Sequence, residues 1–127
     1  LKLPRESTAS LLSINTLYKD KGNTMTHQEK AIVVIEATFK PNGMHTPEFK
    51  EYSRRSNANG EAHGGEVLKK FQVTKNLGNG GAPHMVLVIE YPSEQHARDT
   101  FTCSEYQAIV PLREVSFQEV KILLTAG

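Results

Sequence analysis

The sequence has no tryptophan, one cysteine and almost no excess charge of either sign. The lone cysteine, Cys103, cannot form a disulfide within the chain, so the fold must depend on its hydrophobic core. A reducing compartment such as the cytoplasm is therefore expected. The chain carries 15 Lys and Arg against 14 Asp and Glu. Because no basic surplus exists to neutralise a run of phosphates, nucleic acid is not an expected partner.

Long hydrophobic runs are also missing. The run at Met85–Ile89 spans five residues, whereas a membrane-spanning helix needs about 20, so a membrane partner is not expected. The length of 127 residues suits a single domain. Hydrophobic residues make up 38% and charged residues 23%, which is typical of a globular protein.

Residues 1–24 differ from the rest because their periodicity is weak and polar side chains are frequent. A signal peptide needs an apolar stretch of roughly 7–15 residues, and ASLLSINTL at 9–17 is too polar to supply one. We predict that Met25 is the natural start and that 1–24 is non-native or translated upstream sequence. The alternative is an N-terminal arm that packs on a partner subunit. Residues 25–127 then form a single domain.

Four segments have the residues of β-strands. AIVVIEATF at 31–39 is rich in β-branched residues and predicts a buried strand. EVLKKFQVTK at 66–75 predicts a second strand with Val67, Phe71 and Val73 on one face. HMVLVIEY at 84–91 predicts a third strand, which follows a hairpin loop, and SFQEVKILLT at 116–125 predicts the last.

Helix signals lie between these strands. Thr46 can cap a helix that begins at Pro47 and runs to about Asn59, where Gly60 and the pair Gly64-Gly65 are expected to end it. Ser93 can cap a second helix over 94–102. Ser104 can cap a further short helix, which Pro111 is expected to interrupt.

The order β-α-β-β-α-β predicts an α+β, ferredoxin-like fold with four antiparallel strands and two helices on one face. Alternating side chains make both faces of the strands at 31–39 and 84–91 apolar. With strands about 4.8 Å apart and residues about 3.3 Å apart, the uncovered face measures on the order of 400 Å². We therefore predict a homodimer packed sheet against sheet, a dimeric α/β barrel.

The segment 85–114 resembles the domain of unknown function 1330 family. Members carry a strand that ends in Glu-aromatic-Pro-Ser, then an alanine in a helix, a Ser-x-x-Tyr type of pattern and an arginine. The corresponding residues of this chain are Glu90-Tyr91-Pro92-Ser93, Ala97, Ser104-Glu105-Tyr106 and Arg113. PEFKEYSRRS with Tyr52, and HGGEVL, fit the first half of the family pattern, so the resemblance covers roughly residues 30–125.

This resemblance implies a dimeric α/β barrel built from ferredoxin-like halves and no established activity. The wider fold includes cofactor-free monooxygenases, heme-handling proteins and small stress-responsive proteins, so the fold alone does not decide the function. Two features depart from the family pattern. The loop KPNGMHT at 40–46 and the hairpin loop are long, and Phe101 stands where tryptophan or tyrosine is more usual.

Glu90 is the first candidate catalytic residue. It shares a strand face with Val86 and Val88, so its side chain is expected to point toward a partly apolar interior. Burial would raise the pKa of its carboxyl group, which suits a general acid or base. The structural alternative is an ion pair with Arg113 or a cap on backbone amides near Ser93.

Tyr106 and Arg113 are the other candidate catalytic residues, because a tyrosine hydroxyl and a guanidinium can hold an anion. The structural alternative for Tyr106 is a buried ring whose hydroxyl finds a partner. Candidate ligand-binding residues share a predicted position at the rim or lining of a pocket; they are Tyr52, His63, Phe101 and Ser104.

No residue pattern indicates a metal or a cofactor. The histidines, His27, His45, His63, His84 and His96, lack metal-ligand spacing, so neither a metal site nor a heme ligand is expected. His63 and His84 could still join a site from a distance. Cys103 has no neighbouring nucleophile signature, and GNGG at 78–81 lacks the Lys-Ser/Thr of a phosphate loop.

Two functions remain open from the sequence. The first is a small homodimeric protein that binds an apolar or aromatic molecule in a cavity between sheet and helices, without a cofactor. The second is a cofactor-independent monooxygenase or isomerase with Glu90 or a histidine as general base and Tyr106 or Arg113 holding the developing anion. A closed pocket on which Glu90, Tyr106 and Arg113 converge would favour the second function.

Overall fold

The computed structural model describes residues 29–126. The predictions on residues 1–24 and His27 lie outside the described residues. The strands are β1 (Ala31–Phe39), β2 (Glu66–Gln72), β3 (Met85–Tyr91) and β4 (Phe117–Leu124). The helices are α1 (Pro47–Ala62), α2 (Glu94–Thr102) and α3 (Ser104–Ser116), with a 3-10 turn at Gly43–His45 between β1 and α1.

The strands form one antiparallel sheet in the order β2-β3-β1-β4. The predicted ferredoxin-like α+β fold is confirmed, with two helices rather than one full helix between β3 and β4. None of the helices within residues 29–126 has both the length and the apolar character required to cross a bilayer.

Helix α1 begins as predicted and ends later. The Phe49 amide donates to Thr46 Oγ1 over 3.1 Å, and Pro47 takes the first helical position. The predicted end near Asn59 was wrong, because Gly60 lies within the helix. The residue with positive φ at the end is Gly64, at 81°, which is the conformation that commonly follows a helix C-terminus.

Helix α3 differs from the prediction at Ser104, which was expected to cap it, and at Pro111, which was expected to interrupt it. Pro111 lies inside the helix and does not interrupt it. Tyr106 and Ile109 are 2% and 0% exposed, and this burial stabilises the helix across the missing amide. Ser104 is the first helical residue and does not cap it; Cys103 precedes the helix in an extended conformation. In contrast, Ser93 caps α2 as predicted, since its Oγ accepts from the His96 amide at 3.2 Å.

Strand β2 contains a bulge that changes which side chains share a face. The pairing with β3 shifts between Val67 and Lys69, so one extra residue separates the two halves of the strand. Val67 pairs with Ile89 and Phe71 pairs with Val86. These partners point to opposite faces of β3, so the prediction that Val67 and Phe71 share a face was wrong.

The sheet has a covered face and an open face. The helices pack on the odd-numbered residues of β1, where Val33 clusters with Tyr91 and Ala97 and Ala37 clusters with Phe39 and Phe117. We call the opposite side the open face. Its apolar side chains are Ile32, Val34, Phe71, Val86, Val88 and Leu123. Phe71 and Leu123 are 48% and 43% exposed.

Candidate functional site

Two candidate catalytic or binding tyrosines meet beneath the helices. The hydroxyl groups of Tyr52 on α1 and Tyr106 on α3 lie 2.7 Å apart. Arg113, two turns further along α3, donates from Nη1 to the Tyr106 hydroxyl over 3.2 Å. Its guanidinium carbon is also 5.8 Å from the centre of the Tyr106 ring. We call Tyr52, Tyr106 and Arg113 the tyrosine cluster.

Tyr52 is the titrating group of this cluster whose pKa is most affected by burial. Burial raises the pKa of Tyr52 well above its ordinary value, and its electrostatic interaction and hydrogen bond with Tyr106 raise that pKa further. Phe101 packs edge-on against Tyr106, with ring centres 5.2 Å apart. The hydroxyl groups and the guanidinium therefore bind one another in a filled core, which matches the structural alternative stated for Tyr106.

Glu90 lies on the other side of the sheet from this cluster. It pairs with Ile32 across β1, on the open face, whereas the next residue, Tyr91, points to the helices and is 1% exposed. Because side chains alternate along a strand, Glu90 cannot meet Tyr106 or Arg113. The three candidate catalytic residues do not converge.

The environment of Glu90 is that of a rim carboxylate. Its Oε1 lies 3.4 Å from Lys30 Nζ, and its side chain is 26% exposed. The expected interior position was wrong because the helices cover the opposite face. Glu36, the other carboxylate on this face of β1, pairs with Val86 and does not lie opposite Glu90.

A groove of about 930 Å³ opens elsewhere, at the end of the sheet where β1 finishes and β3 begins. The 3-10 turn and the start of α1 wall it. Its apolar lining includes Phe39, Pro41, Met44, Phe49, Phe71, Val73 and Met85. Its polar lining includes Lys40, His45, Lys70, Gln72, His84 and Gln118.

His84 is a polar residue of the groove that is held by its backbone and by its ring. Its backbone amide donates to Ala37 O at 2.8 Å, and its carbonyl accepts from the Val73 amide at 2.9 Å. Its ring stacks on Phe39 with 6.0 Å between centres and 13° between planes. Sequence neighbours alone could not reveal this arrangement, because Phe39 is 45 residues away.

One hydrogen bond fixes the tautomer of His84. The Phe39 amide donates to Nδ1 over 3.0 Å. A backbone amide can only donate, so Nδ1 must carry a lone pair, and the ring hydrogen of the neutral imidazole lies on Nε2. His84 therefore offers the groove an N–H donor.

The wall of the groove is tied to the C-terminal end of α3. The Lys40 amide donates to Ser116 O at 3.1 Å, and Lys40 Nζ donates to Glu114 O at 2.6 Å. Asn42 adopts a left-handed conformation with φ 62°. Gly43 then lies so close to Ser116 that a β-carbon would overlap the Ser116 carbonyl. The loop is thus held against the fold.

None of the predicted ligand-binding residues lines this groove. Tyr52 and Phe101 belong to the packing around Tyr106. His63 follows α1, where its Nδ1 lies 2.8 Å from Asn59 O, and Ser104 is exposed at the start of α3. The signal that could have located the groove was the long loop at 40–46, whose Met44 and His45 contribute to the lining.

The described residues do not assemble a metal-ligand set. Within the range 29–126, no group of three His, Cys, Asp or Glu side chains could hold a metal ion. Lys40, Lys70 and His84 give the groove N–H donors, and most of its walls are aromatic or aliphatic. This combination can bind and orient a flat molecule that has an acceptor at one end.

Solved structures share this fold at low sequence identity. A protein of unknown function from Rhodopseudomonas palustris has 18% identity and a TM-score of 0.65, over 77% of this chain and 82% of that chain. A dabb family protein with a ferredoxin-like fold, from Mesorhizobium loti, has 14% identity and a TM-score of 0.55, over 79% and 98%. SnoaB, a cofactor-independent oxygenase from Streptomyces nogalater, has 10% identity and a TM-score of 0.54, over 77% and 92%.

These likenesses support the fold and carry no activity across to this chain. No match was found among the curated proteins. A family model matches residues 42–127, which is more than half of the sequence and includes every helix and three of the four strands. The chain belongs to the family described as domain of unknown function 1330.

Proposed function

We propose that this protein is a homodimer that binds a small apolar or aromatic molecule in the groove. The observation that carries the proposal is the groove itself, with a volume of about 930 Å³, aromatic walls and a fixed N–H donor on His84. Ligand sites of roughly 300–1,000 Å³ usually combine such walls with a few well-placed polar groups. The free thiol of Cys103 is compatible with a reducing, cytoplasmic compartment.

The alternative function, a cofactor-independent monooxygenase or isomerase, requires a proton acceptor beside the substrate. His84 is a weak candidate because its hydrogen-bonded tautomer presents N–H to the groove. Glu90 is a weak candidate because it lies on the open face beside Lys30. Binding without proton abstraction therefore has the better support.

The open face supports the homodimer. Its centre is apolar, with Val34 between Val88 and Leu123 in the strand pairing, and charged residues such as Lys69 and Lys121 lie around it. An apolar centre with a polar rim is the usual anatomy of a protein interface. A second copy of the chain supplies the same surface, as two-fold symmetry requires.

Light scattering tests the dimer. We expect wild-type protein to have the mass of two chains at micromolar concentration, and Val34→Glu to have the mass of one because it places a charge in the apolar centre. Val67→Glu is the control, since Val67 is 54% exposed and lies on the other face of the edge strand. A wild-type monomer would refute the dimer.

Calorimetric titration with 2-naphthamide, a neutral two-ring probe, tests binding in the groove. We expect wild-type protein to bind it and Met44→Ser to bind it several-fold more weakly, because Met44 contributes apolar surface to the groove. Leu77→Ser is the matched control: Leu77 is 91% exposed and lies outside the groove. Equal weakening by both variants, or no binding to the wild type, would contradict the proposal.

A further inference from the structure

We infer that the natural ligand is an aromatic carboxylate, whose rings lie on the apolar walls and whose acid group lies at the cationic rim of the groove. This inference rests on the proposed binding function and adds the charge of the ligand. The first support for this inference is the set of charged residues in the groove lining. The lining includes Lys40 and Lys70 together with His45 and His84, and within the described residues it contains no Asp or Glu.

Among the described residues, no carboxylate pairs with the charge of Lys70. The helices show the opposite arrangement: Arg54 pairs with Glu51 at 2.8 Å and Arg98 with Glu94 at 2.6 Å. An unneutralised cation at the edge of an apolar groove favours an anion there.

Lys40 adds a second positive charge, which the fold holds in place. Its Nζ donates to Glu114 O at 2.6 Å, and a backbone carbonyl carries no net charge to cancel the ammonium. An ammonium has three donors, so this bond leaves two for a ligand. Lys40 therefore presents a positioned cation beside the groove wall.

His84 supplies a directional donor to accompany the lysines. Because its Nδ1 is bound to the Phe39 amide at 3.0 Å, Nε2 carries the hydrogen. A carboxylate accepts hydrogen bonds and cannot donate them, so it fits an N–H and an ammonium together. A neutral hydroxyl or amide ligand would not use the charge of the lysines.

A carboxylate fits this groove better than a phosphate. Phosphates are commonly bound by free backbone amides at the start of a helix. At the start of α1, Pro47 has no amide hydrogen and the Phe49 amide is bound to Thr46 Oγ1 at 3.1 Å. With no amide hydrogen at Pro47, the Phe49 amide already bound and the walls largely apolar, a singly charged group on a hydrocarbon body is the better match.

The test compares 2-naphthoate with 2-naphthamide, which share their rings and differ in charge. At pH 8 and low ionic strength, we expect wild-type protein to bind 2-naphthoate about tenfold more tightly, because charge-assisted hydrogen bonds are the stronger ones. Added salt should reduce that advantage. Lys70→Gln should remove most of that advantage, because it should weaken the binding of 2-naphthoate far more than the binding of 2-naphthamide.

Lys69→Gln is the matched control, since it removes the same charge from the same strand but on the open face. We expect it to keep the preference for 2-naphthoate. Equal binding of the two probes by wild-type protein would overturn this inference and leave the binding function standing. A preference that survives Lys70→Gln unchanged would also overturn it. Failure of both probes to bind would count against the proposed function itself.

Discussion

The tyrosine cluster and the groove each bring several polar groups together, but they differ in whether those groups have hydrogen-bond partners within the protein. In the cluster, the Tyr52 and Tyr106 hydroxyl groups bind each other and Arg113 binds Tyr106. In the groove, His84 is fixed through Nδ1 and its backbone, and its Nε2–H makes no hydrogen bond to the described residues. The two tyrosine hydroxyl groups are paired within the protein, whereas His84 keeps an N–H donor for a ligand, so the groove is the better candidate binding site.

The largest expected effect comes from the groove wall. Gly43→Ala would push a β-carbon into the Ser116 carbonyl, so we expect the free energy of unfolding to fall by about 2–3 kcal/mol. Gly81→Ala is the control, because nothing lies within 4 Å of a β-carbon there. Urea unfolding measures both. Equal stability of the two variants would mean that the wall is not held against α3.

A smaller effect is expected from the tyrosine cluster. Tyr106→Phe removes the hydroxyl that Tyr52 and Arg113 both use, so we expect a loss of about 1–2 kcal/mol in the free energy of unfolding. The affinity for 2-naphthamide should not change, because the cluster does not line the groove. A large loss of affinity with little loss of stability would reverse the roles assigned to the two regions.

The pH dependence of stability also distinguishes the tyrosine cluster from the groove, because the cluster contains the buried hydroxyl of Tyr52. Burial raises the pKa of Tyr52 in the folded protein above its ordinary value of 10.0. Above that pH the unfolded chain releases a proton that the folded chain keeps, so stability is fully present below pH 10 and is lost as the pH rises. We expect the free energy of unfolding, measured with denaturant, to fall less steeply with rising pH for Tyr52→Phe than for the wild type. A decline as steep as in the wild type would exclude Tyr52 as a source.

The smallest effect is expected from Glu90, which belongs to neither region. Its ion pair with Lys30 is partly exposed, and Glu66 lies directly opposite in the pairing of β2 with β3, where like charges repel. We expect Glu90→Gln to change the free energy of unfolding by less than about 0.5 kcal/mol. Ligand affinity should stay within twofold. Loss of binding in a titration would restore Glu90 as a site residue.

Local patterns in the sequence identified most of the fold. Alternation predicted the strands, and Thr46 and Ser93 marked the starts of two helices through hydrogen bonds that span three residues. The errors arose where distant packing overrides local preference. Burial of Ile109 carries α3 through Pro111, and the bulge after Val67 moves Phe71 to the open face.

The site was harder to predict than the fold. Tyr52, Tyr106 and Arg113 do lie together. Their spacing in the sequence could not show that their side chains form hydrogen bonds with one another. The groove joins the end of β1, the 3-10 turn, β2 and the start of β3. The tautomer of His84 depends on Phe39, a partner 45 residues away, so only the folded chain reveals the donor.

The measurement that tests the central claim most directly is an NMR titration with 2-naphthoate, in which backbone amide shifts locate the ligand. Binding in the groove predicts the largest shifts at Met44, Lys70 and His84, which lie on three separate elements of the lining. Amides around Tyr106 should move little. Shifts concentrated at Tyr106, or at Val34 on the open face, would contradict the assignment of the groove as the binding site.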